Sequence, residues 1–179
     1  MQSMRKCMVI SAALAAFASS AAFAQDGTIN FTGEIVGTPC QIAPGDQNMT
    51  VPLGMVAQST LNGAAGTTSA PVRFTINLQG CDATAKGASL KFQGTPDADA
   101  QGLLRLANAG QVGVGKASGV AIGLADSVGN RIPLGMESSD YVIGEGDNAL
   151  QFQAMYVATK DQVTAGPANA SAQFTITYK

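Results

Sequence analysis

The sequence predicts an all-β protein built as an antiparallel β-sandwich, and three features of the chain support this. Apolar residues repeatedly alternate with polar or small ones, which is the pattern of a strand with one buried face. No stretch after Gln25 shows the sustained 3.6-residue apolar period of an amphipathic helix. Clusters of glycine, proline, asparagine and aspartate separate the alternating stretches, as is usual in sandwiches.

The first 24 residues have the organisation of a secretory signal peptide. Arg5 and Lys6 precede an uncharged apolar stretch at 8–18, and a small-x-small cleavage site follows at 22–24, with Ala22 and Ala24 as its small residues. The apolar stretch is shorter than the ~20 residues that a membrane-spanning helix needs. We therefore expect cleavage before Gln25 and export of the remaining chain.

The segment directly after the cleavage site is predicted to contain a strand at 28–36. Ile29, Phe31, Gly33 and Ile35 share one face of this strand. A glycine within an apolar face weakens a strand, and it is expected where another backbone or a bulky side chain approaches closely. The pattern alone is equally compatible with an ordinary first strand of the domain and with a segment that pairs outside it.

Cys40 and Cys81 remain after removal of the signal peptide, which contains Cys7. Two cysteines in an exported chain predict one disulfide, because the compartments outside the cytoplasm are oxidising. The crosslink would close a loop of about 42 residues, for which the chain-entropy model gives roughly 4 kcal/mol of stability. A catalytic thiol is the alternative, but the sequence has no histidine to activate one.

The alternating stretches that follow are predicted to form the body of the sandwich. Their inward-facing residues are expected to build a core between two sheets. These residues are Val72, Phe74, Ile76 and Leu78; Leu90 and Phe92; Val120, Ile122 and Leu124; Leu150, Phe152, Ala154, Tyr156 and Ala158; and Phe174, Ile176 and Tyr178.

Several of these segments, taken in order, resemble the major pilin subunits of chaperone–usher fimbriae, the type 1 family of Gram-negative bacteria. The resemblance covers nearly the whole chain after the signal peptide. It is carried by INFTGEI at 29–35 followed by Cys40, VPLG at 51–54, FTINLQGC at 74–81, LQFQAMY at 150–156, and ANA at 168–170 running into FTITYK at 174–179. Tyr178 stands at the family's penultimate tyrosine, and Lys179 replaces the glutamine that is common at the end.

The resemblance implies an immunoglobulin-like sandwich that lacks its final strand. A hydrophobic groove would then lie between two sheet edges, lined in part by Phe174, Ile176 and Tyr178. In the family, a periplasmic chaperone first lends a strand to this groove, and the N-terminal extension of the next subunit replaces it at the outer-membrane usher. Residues 25–36 would be that donor extension, with Ile29, Phe31, Gly33 and Ile35 facing the groove, and residues 37–179 would be the pilin domain.

The function that the resemblance implies is that of a structural subunit of a bacterial surface fimbria, which polymerises by donor-strand exchange and supports cell adhesion. Its partners would be other pilin subunits in a homopolymer, the periplasmic chaperone and the usher. Its location would be the cell-surface fimbria, reached through the periplasm. A minor or adaptor subunit, or a carbohydrate-binding adhesin of the same family, is the alternative.

The composition excludes several other functions. Only 12% of the residues are charged and the net charge is −2, whereas ordinary soluble domains are about 25% charged. Binding of nucleic acid is excluded because it needs clustered lysine and arginine. Histidine-dependent catalysis and histidine metal sites are excluded because the chain has no histidine. We expect no enzymatic activity, cofactor, metal or small-molecule substrate.

Overall fold

The structure is a computed structural model that describes residues 29–33, 40–107 and 117–179, and residues 29–33 belong to a separate unit of the chain from the later ones. In the first unit, Ile29 and Phe31 are 78% and 90% exposed. The strand predicted at 28–36 is not formed at residues 29–33, because a strand needs a partner for its backbone hydrogen bonds. The other positions of that prediction, including Ile35, lie outside the described residues.

The second unit is built from strands, with one short helix. In chain order these are β1 (Gln41–Ile42), α1 (Gln58–Leu61), β2 (Val72–Cys81), β3 (Gly87–Gln93), β4 (Val120–Asp126), β5 (Tyr141–Val142), β6 (Gly146–Ala158) and β7 (Gln173–Tyr178). One sheet has the order β1-β2-β6-β4 and the other has the order β5-β3-β7. All of these pairings are antiparallel. None of the described helices is long and apolar enough to span a bilayer.

The core lies between the two sheets and is formed by the alternating residues. Ile76 of β2 faces Leu150 of β6 in the first sheet, and both are buried. Leu90 and Phe92 of β3 approach them from the second sheet and are buried as well. The rings of Phe92 and Phe152 meet edge to face across the core, with their centroids 5.3 Å apart. The predicted all-β antiparallel sandwich is therefore confirmed.

A disulfide joins Cys40 and Cys81, which confirms the predicted pairing. It links the residue before β1 to the last residue of β2, and the two Cα atoms are 4.1 Å apart. Both cysteines are buried. The two-residue strand β1 is thereby fastened covalently to β2 at its first end, in addition to its backbone hydrogen bonds.

The outer edge of β4 is closed by the chain itself. Ile122 and Leu104 exchange two backbone hydrogen bonds, with N···O distances of 2.8 and 2.9 Å. Ile132 N–H donates to the carbonyl of Leu124 at 2.9 Å on the same edge. Every residue of β4 is buried, because these loop segments cover the edge and the outward face of the strand.

The alternation in the sequence predicted all of the longer strands in the described part of the chain but not three short elements. Strands β2, β3, β4, β6 and β7 coincide with the predicted alternating stretches. Strands β1 and β5 have two residues each and helix α1 has four, which is too short for a period of either kind to show in the sequence.

Candidate strand-binding groove

A groove of about 430 Å³ lies between an edge of each sheet. Strand β1 is the edge of the first sheet and β7 is the edge of the second. Most of the lining residues belong to these strands or to the turn that follows β1. The lining consists of Cys40, Gln41, Ile42, Pro44, Gln47, Gln79, Ile176 and Tyr178. None of these side chains is charged, so the groove favours an uncharged occupant.

The β7 wall of the groove is apolar and incompletely covered. Phe174, Ile176 and Tyr178 face the core, yet each is only half-buried. Their counterpart Leu90, which lies opposite Ile176 on β3, is completely buried. The inward face of β7 therefore has room for a further layer of apolar contacts that the described residues do not supply.

No strand among the described residues pairs with the groove side of β7. Gly87 and Lys179 exchange backbone hydrogen bonds at 2.9 and 3.1 Å. Because hydrogen-bonded and non-hydrogen-bonded pairs alternate along an antiparallel ladder, Phe174, Ile176 and Tyr178 occupy the non-hydrogen-bonded positions opposite β3. Their N–H and C=O groups point away from β3, and no described strand pairs with that edge.

In the β1 wall, backbone groups also point towards the groove, but over a shorter length of strand than in β7. Ala43 N–H donates to the carbonyl of Asn77 at 2.9 Å, so the adjacent facing pair, Ile42 and Leu78, is a non-hydrogen-bonded one. The backbone groups of Ile42 therefore point away from β2, towards the groove, while its side chain packs against the core.

Polar contacts hold β7 from its outward face. One carboxylate oxygen of Glu137 accepts a hydrogen bond from Ser89 of β3 at 3.0 Å, and the other accepts one from Thr177 of β7 at 3.3 Å. Lys179 forms an ion pair with Asp140 next to this contact. These bonds keep β7 in register with β3, so the groove has a fixed wall.

Tyr178 is a titratable residue among those that line the groove. Its hydroxyl is neutral at physiological pH at the usual pKa of about 10, and burial raises the pKa further. Among the residues that the structure describes, no group of three or more histidine, cysteine, aspartate or glutamate side chains is arranged to hold a metal. The groove offers apolar contacts from Ile42, Ile176 and Tyr178 and the backbone edge of β7 that no described strand pairs with, and an extended peptide strand requires both.

The structure brings together only part of the site predicted from the sequence. Ile176 and Tyr178 line the groove, whereas Phe174 is on the same face but is not among the lining residues. Cys40 lies at the groove and Cys81 is buried behind it. Ile29, Phe31 and Gly33 are exposed in the separate first unit, and Ile35 lies outside the described residues.

Sequence reasoning missed the β1 wall and the residues of the turn after it. Gln41, Ile42, Pro44, Gln47 and Gln79 all line the groove. Of these residues, Ile42 alone could have been identified from the sequence, because it is an apolar residue two positions after Cys40 of the predicted disulfide. The glutamines carried no signal, because exposed glutamines occur at many positions that have no role.

Comparison with known proteins places the chain among fimbrial proteins. The family model described as "Fimbrial protein" matches residues 29–179. Long polar fimbria protein A of Salmonella typhimurium is 36% identical, over 98% of this chain and 98% of its own length. Among solved structures, a type I fimbria protein and antigen of Burkholderia pseudomallei is 38% identical, covers 85% of this chain and 97% of its own, and superposes with a TM-score of 0.60. A chain of a chaperone–usher pilus is 26% identical, covers 87% of this chain and 96% of its own, and has a TM-score of 0.63.

Proposed function

The chain belongs to the fimbrial protein family and is a structural, non-enzymatic subunit of a bacterial surface fimbria, and we propose that it polymerises by donor-strand exchange. Residues 25–36 of one subunit enter the groove between β1 and β7 of the next. The observation that carries this proposal is the unpaired groove edge of β7, with Phe174, Ile176 and Tyr178 half-buried beneath it. The alternative, a minor or adaptor subunit or a carbohydrate-binding adhesin, is not favoured, because curated relatives are named as fimbrial subunits, one of them as a probable major subunit.

The donor segment has the side chains that such a groove requires. Ile29, Phe31 and Ile35 alternate along one face, and the two that are described are exposed in the single chain. Burial of each large apolar side chain is worth roughly 1.5–3 kcal/mol, so the three contribute about 5–9 kcal/mol before ordering costs. Hydrogen bonds to the free edges of β1 and β7 would add to this and would fix the register.

The geometry of the exchange leads to a filament. Each subunit gives a strand to one neighbour and receives a strand from another, so the two surfaces in contact are different. A contact of this kind is heterologous and continues without closing, unless the rotation between subunits happens to produce a ring. A homopolymer of this chain is therefore the expected assembly.

The same open edge explains why helper proteins are needed. An exposed apolar strand edge is a template for aggregation. We propose that a periplasmic chaperone covers the groove of the exported subunit and that an outer-membrane usher exchanges the chaperone's strand for the donor segment. The chaperone's strand and the donor segment would pair with the same edge of β7, so they would occupy the groove one after the other.

A pair of single substitutions in the donor segment tests this proposal. The chain is expressed with its chaperone and usher, and fibres are counted by electron microscopy. Gly33→Leu is expected to abolish fibres, since a leucine on the inward face would overfill a narrow part of the groove. In the free chain a Cβ at Gly33 would meet nothing within 4 Å, so the subunit's own fold is not disturbed. The matched control, Thr32→Leu, places the same side chain on the opposite face and should leave fibres intact.

Deletion of residues 28–36 provides the second arm and keeps the residues beside the expected cleavage site. The truncated subunit should still be recovered from the periplasm with the chaperone but should form no fibres. Fibres made by the truncated subunit, or by the Gly33→Leu variant at the wild-type level, would show that another segment acts as donor.

A further inference from the structure

The turn that follows β1 places a side-chain amide on the edge where an incoming strand has to bind. The backbone carbonyl of Ile42 points towards the groove, because Ile42 and Leu78 form a non-hydrogen-bonded pair. In the single chain this carbonyl accepts a hydrogen bond from the side-chain amide of Gln47 at 3.4 Å. Gln47 itself lines the groove and is exposed.

The turn is held in place by its neighbour, Asp46. Asp46 N–H donates to the carbonyl of Ala43 at 2.8 Å. The carboxylate of Asp46 accepts hydrogen bonds from the backbone N–H of Asn77 at 2.7 Å and from its side-chain amide at 2.9 Å. Asp46 therefore occupies the edge of β2 just beyond the point where β1 ends, and it fixes the turn that carries Gln47.

The hydrogen bonds of Asp46 and that of Gln47 differ in strength, and the difference determines which of them an incoming strand can break. The bonds of Asp46 are short and involve a charged acceptor, which makes them strong. The bond of Gln47, at 3.4 Å, is longer than the usual range of about 2.7–3.2 Å for N–H···O hydrogen bonds and is made by an exposed side chain, so it is weak. The hydrogen bonds of Asp46 are therefore expected to persist when a strand binds, whereas the hydrogen bond of Gln47 is easily broken.

We infer that Gln47 is a displaceable guard of the groove, which occupies the Ile42 carbonyl in the empty subunit and must leave when the donor strand of a second copy binds. The inference rests on the proposed function, since the displacing group is a backbone N–H of residues 25–36. The guard satisfies part of an open edge that would otherwise pair with any exposed strand. On the β7 side, no side chain in the described part of the chain occupies the groove edge in the same way.

The test measures how fast a donor peptide enters the groove. The probe is a fluorescein-labelled synthetic peptide with the sequence of residues 25–36, mixed with the folded mature chain and followed by stopped-flow anisotropy. Gln47→Ala removes the amide. Gln47→Met keeps the length of the side chain but removes the donor without adding a charge. Gln79→Ala is the control, because Gln79 lines the same groove and makes no side-chain hydrogen bond among the described residues.

Both Gln47 variants should bind the peptide about threefold faster than the wild type, with little change in the dissociation rate, which corresponds to the loss of one weak hydrogen bond. Gln79→Ala should match the wild type. Equal or slower binding by the Gln47 variants, or equal acceleration by Gln79→Ala, would overturn the guard while leaving the groove in place. If the wild-type chain does not bind the peptide, the proposed function fails and the guard fails with it. Far-UV circular dichroism of each variant verifies that the fold is unchanged.

Discussion

The outer edge of β4 and the groove edge of β7 differ in whether described segments of the chain cover them. On β4, backbone groups of Leu104 and Ile132 pair with the strand from outside, and all its residues are buried. On β7, the corresponding backbone groups point towards a groove that no described strand fills. The inward side chains of β7, such as Ile176, remain half-buried.

The edge of β4 is closed within the folded chain, whereas the edge of β7 is the one proposed to bind another subunit. An open edge is a hazard that proteins normally cover with a loop, a charge or a proline. Here the chain uses its own loops for β4, and it fixes the other faces of β7 through β3 and Glu137. Under the proposed function, the edge of β7 stays open because a strand of another polypeptide covers it. The open edge is then confined to one site, which the proposed chaperone would cover.

The largest expected effect comes from breaking the covalent link at the groove. Replacement of both Cys40 and Cys81 by serine should lower the free energy of unfolding by about 4 kcal/mol, because the loop closed by the disulfide becomes unconstrained in the unfolded chain. Urea unfolding of the mature chain, with the donor peptide bound, measures the change. The wild type treated with a reductant should lose a similar amount. Unchanged stability would mean that β1 is held by its other contacts alone.

A matched pair of isoleucines compares the two edges directly. Ile122→Ala on β4 should cost about 3 kcal/mol, since this residue is buried whether or not a donor is present. Ile176→Ala on β7 should cost only about 1 kcal/mol in the empty subunit, because its side chain is half-exposed there. With the donor peptide bound, the cost of Ile176→Ala should rise towards that of Ile122→Ala.

The measurement is urea unfolding of each variant, with and without saturating peptide of residues 25–36. If the cost of Ile176→Ala is the same in both states, Ile176 is not covered by the donor. If the cost of Ile122→Ala depends on the peptide, the β4 edge is not independent of the groove.

A smaller effect on stability is expected from the carboxylate of Asp126, the last residue of β4. Burial alone would raise the pKa of Asp126, but hydrogen bonds from Asn130, Ser139 and Val128 outweigh it and hold the pKa below the usual value. The stability that this carboxylate contributes is therefore present above its unfolded pKa of about 3.9 and is lost as the pH falls through its lower folded value. Asp126→Asn should cost about 2 kcal/mol near neutral pH, since a hydrogen bond to a charged acceptor is lost.

The pH dependence of that cost is the decisive observation. The difference between Asp126→Asn and the wild type, obtained from urea unfolding at a series of pH values, should shrink once the pH falls below about 4. Asp147→Asn is the control, because Asp147 accepts one exposed hydrogen bond, from Gly80, which an amide oxygen can also accept. A difference that is independent of pH would show that the charge of Asp126 does not contribute.

The sequence predicted the parts of this fold that depend on local pattern. The alternation of Phe74, Ile76 and Leu78, and that of Phe174, Ile176 and Tyr178, places each set on one face of a strand, because successive side chains of a strand point to opposite sides. It also predicted the disulfide between Cys40 and Cys81, which the structure confirms. The missing strand was implied by the resemblance to fimbrial subunits and not by the alternation.

The candidate groove was predictable only in part, for a physical reason. Ile176 and Tyr178 were identified as one wall, but the opposite wall, with Ile42 and Gln47, was not. A two-residue strand shows no period, and a side chain that bonds to a neighbouring carbonyl looks like any exposed polar residue. Whether such residues line a groove depends on which strand lies opposite them in the folded chain.

What the sequence by itself determined is which residues form strands and which side of each strand is apolar, since both depend on neighbours along the chain. What only the tertiary structure decided is the pairing of edges. Leu104 covers β4, while β7 and β1 face each other across a groove. These arrangements join residues that are far apart in the chain, and a strand's own alternation is the same whether its edge is paired or open.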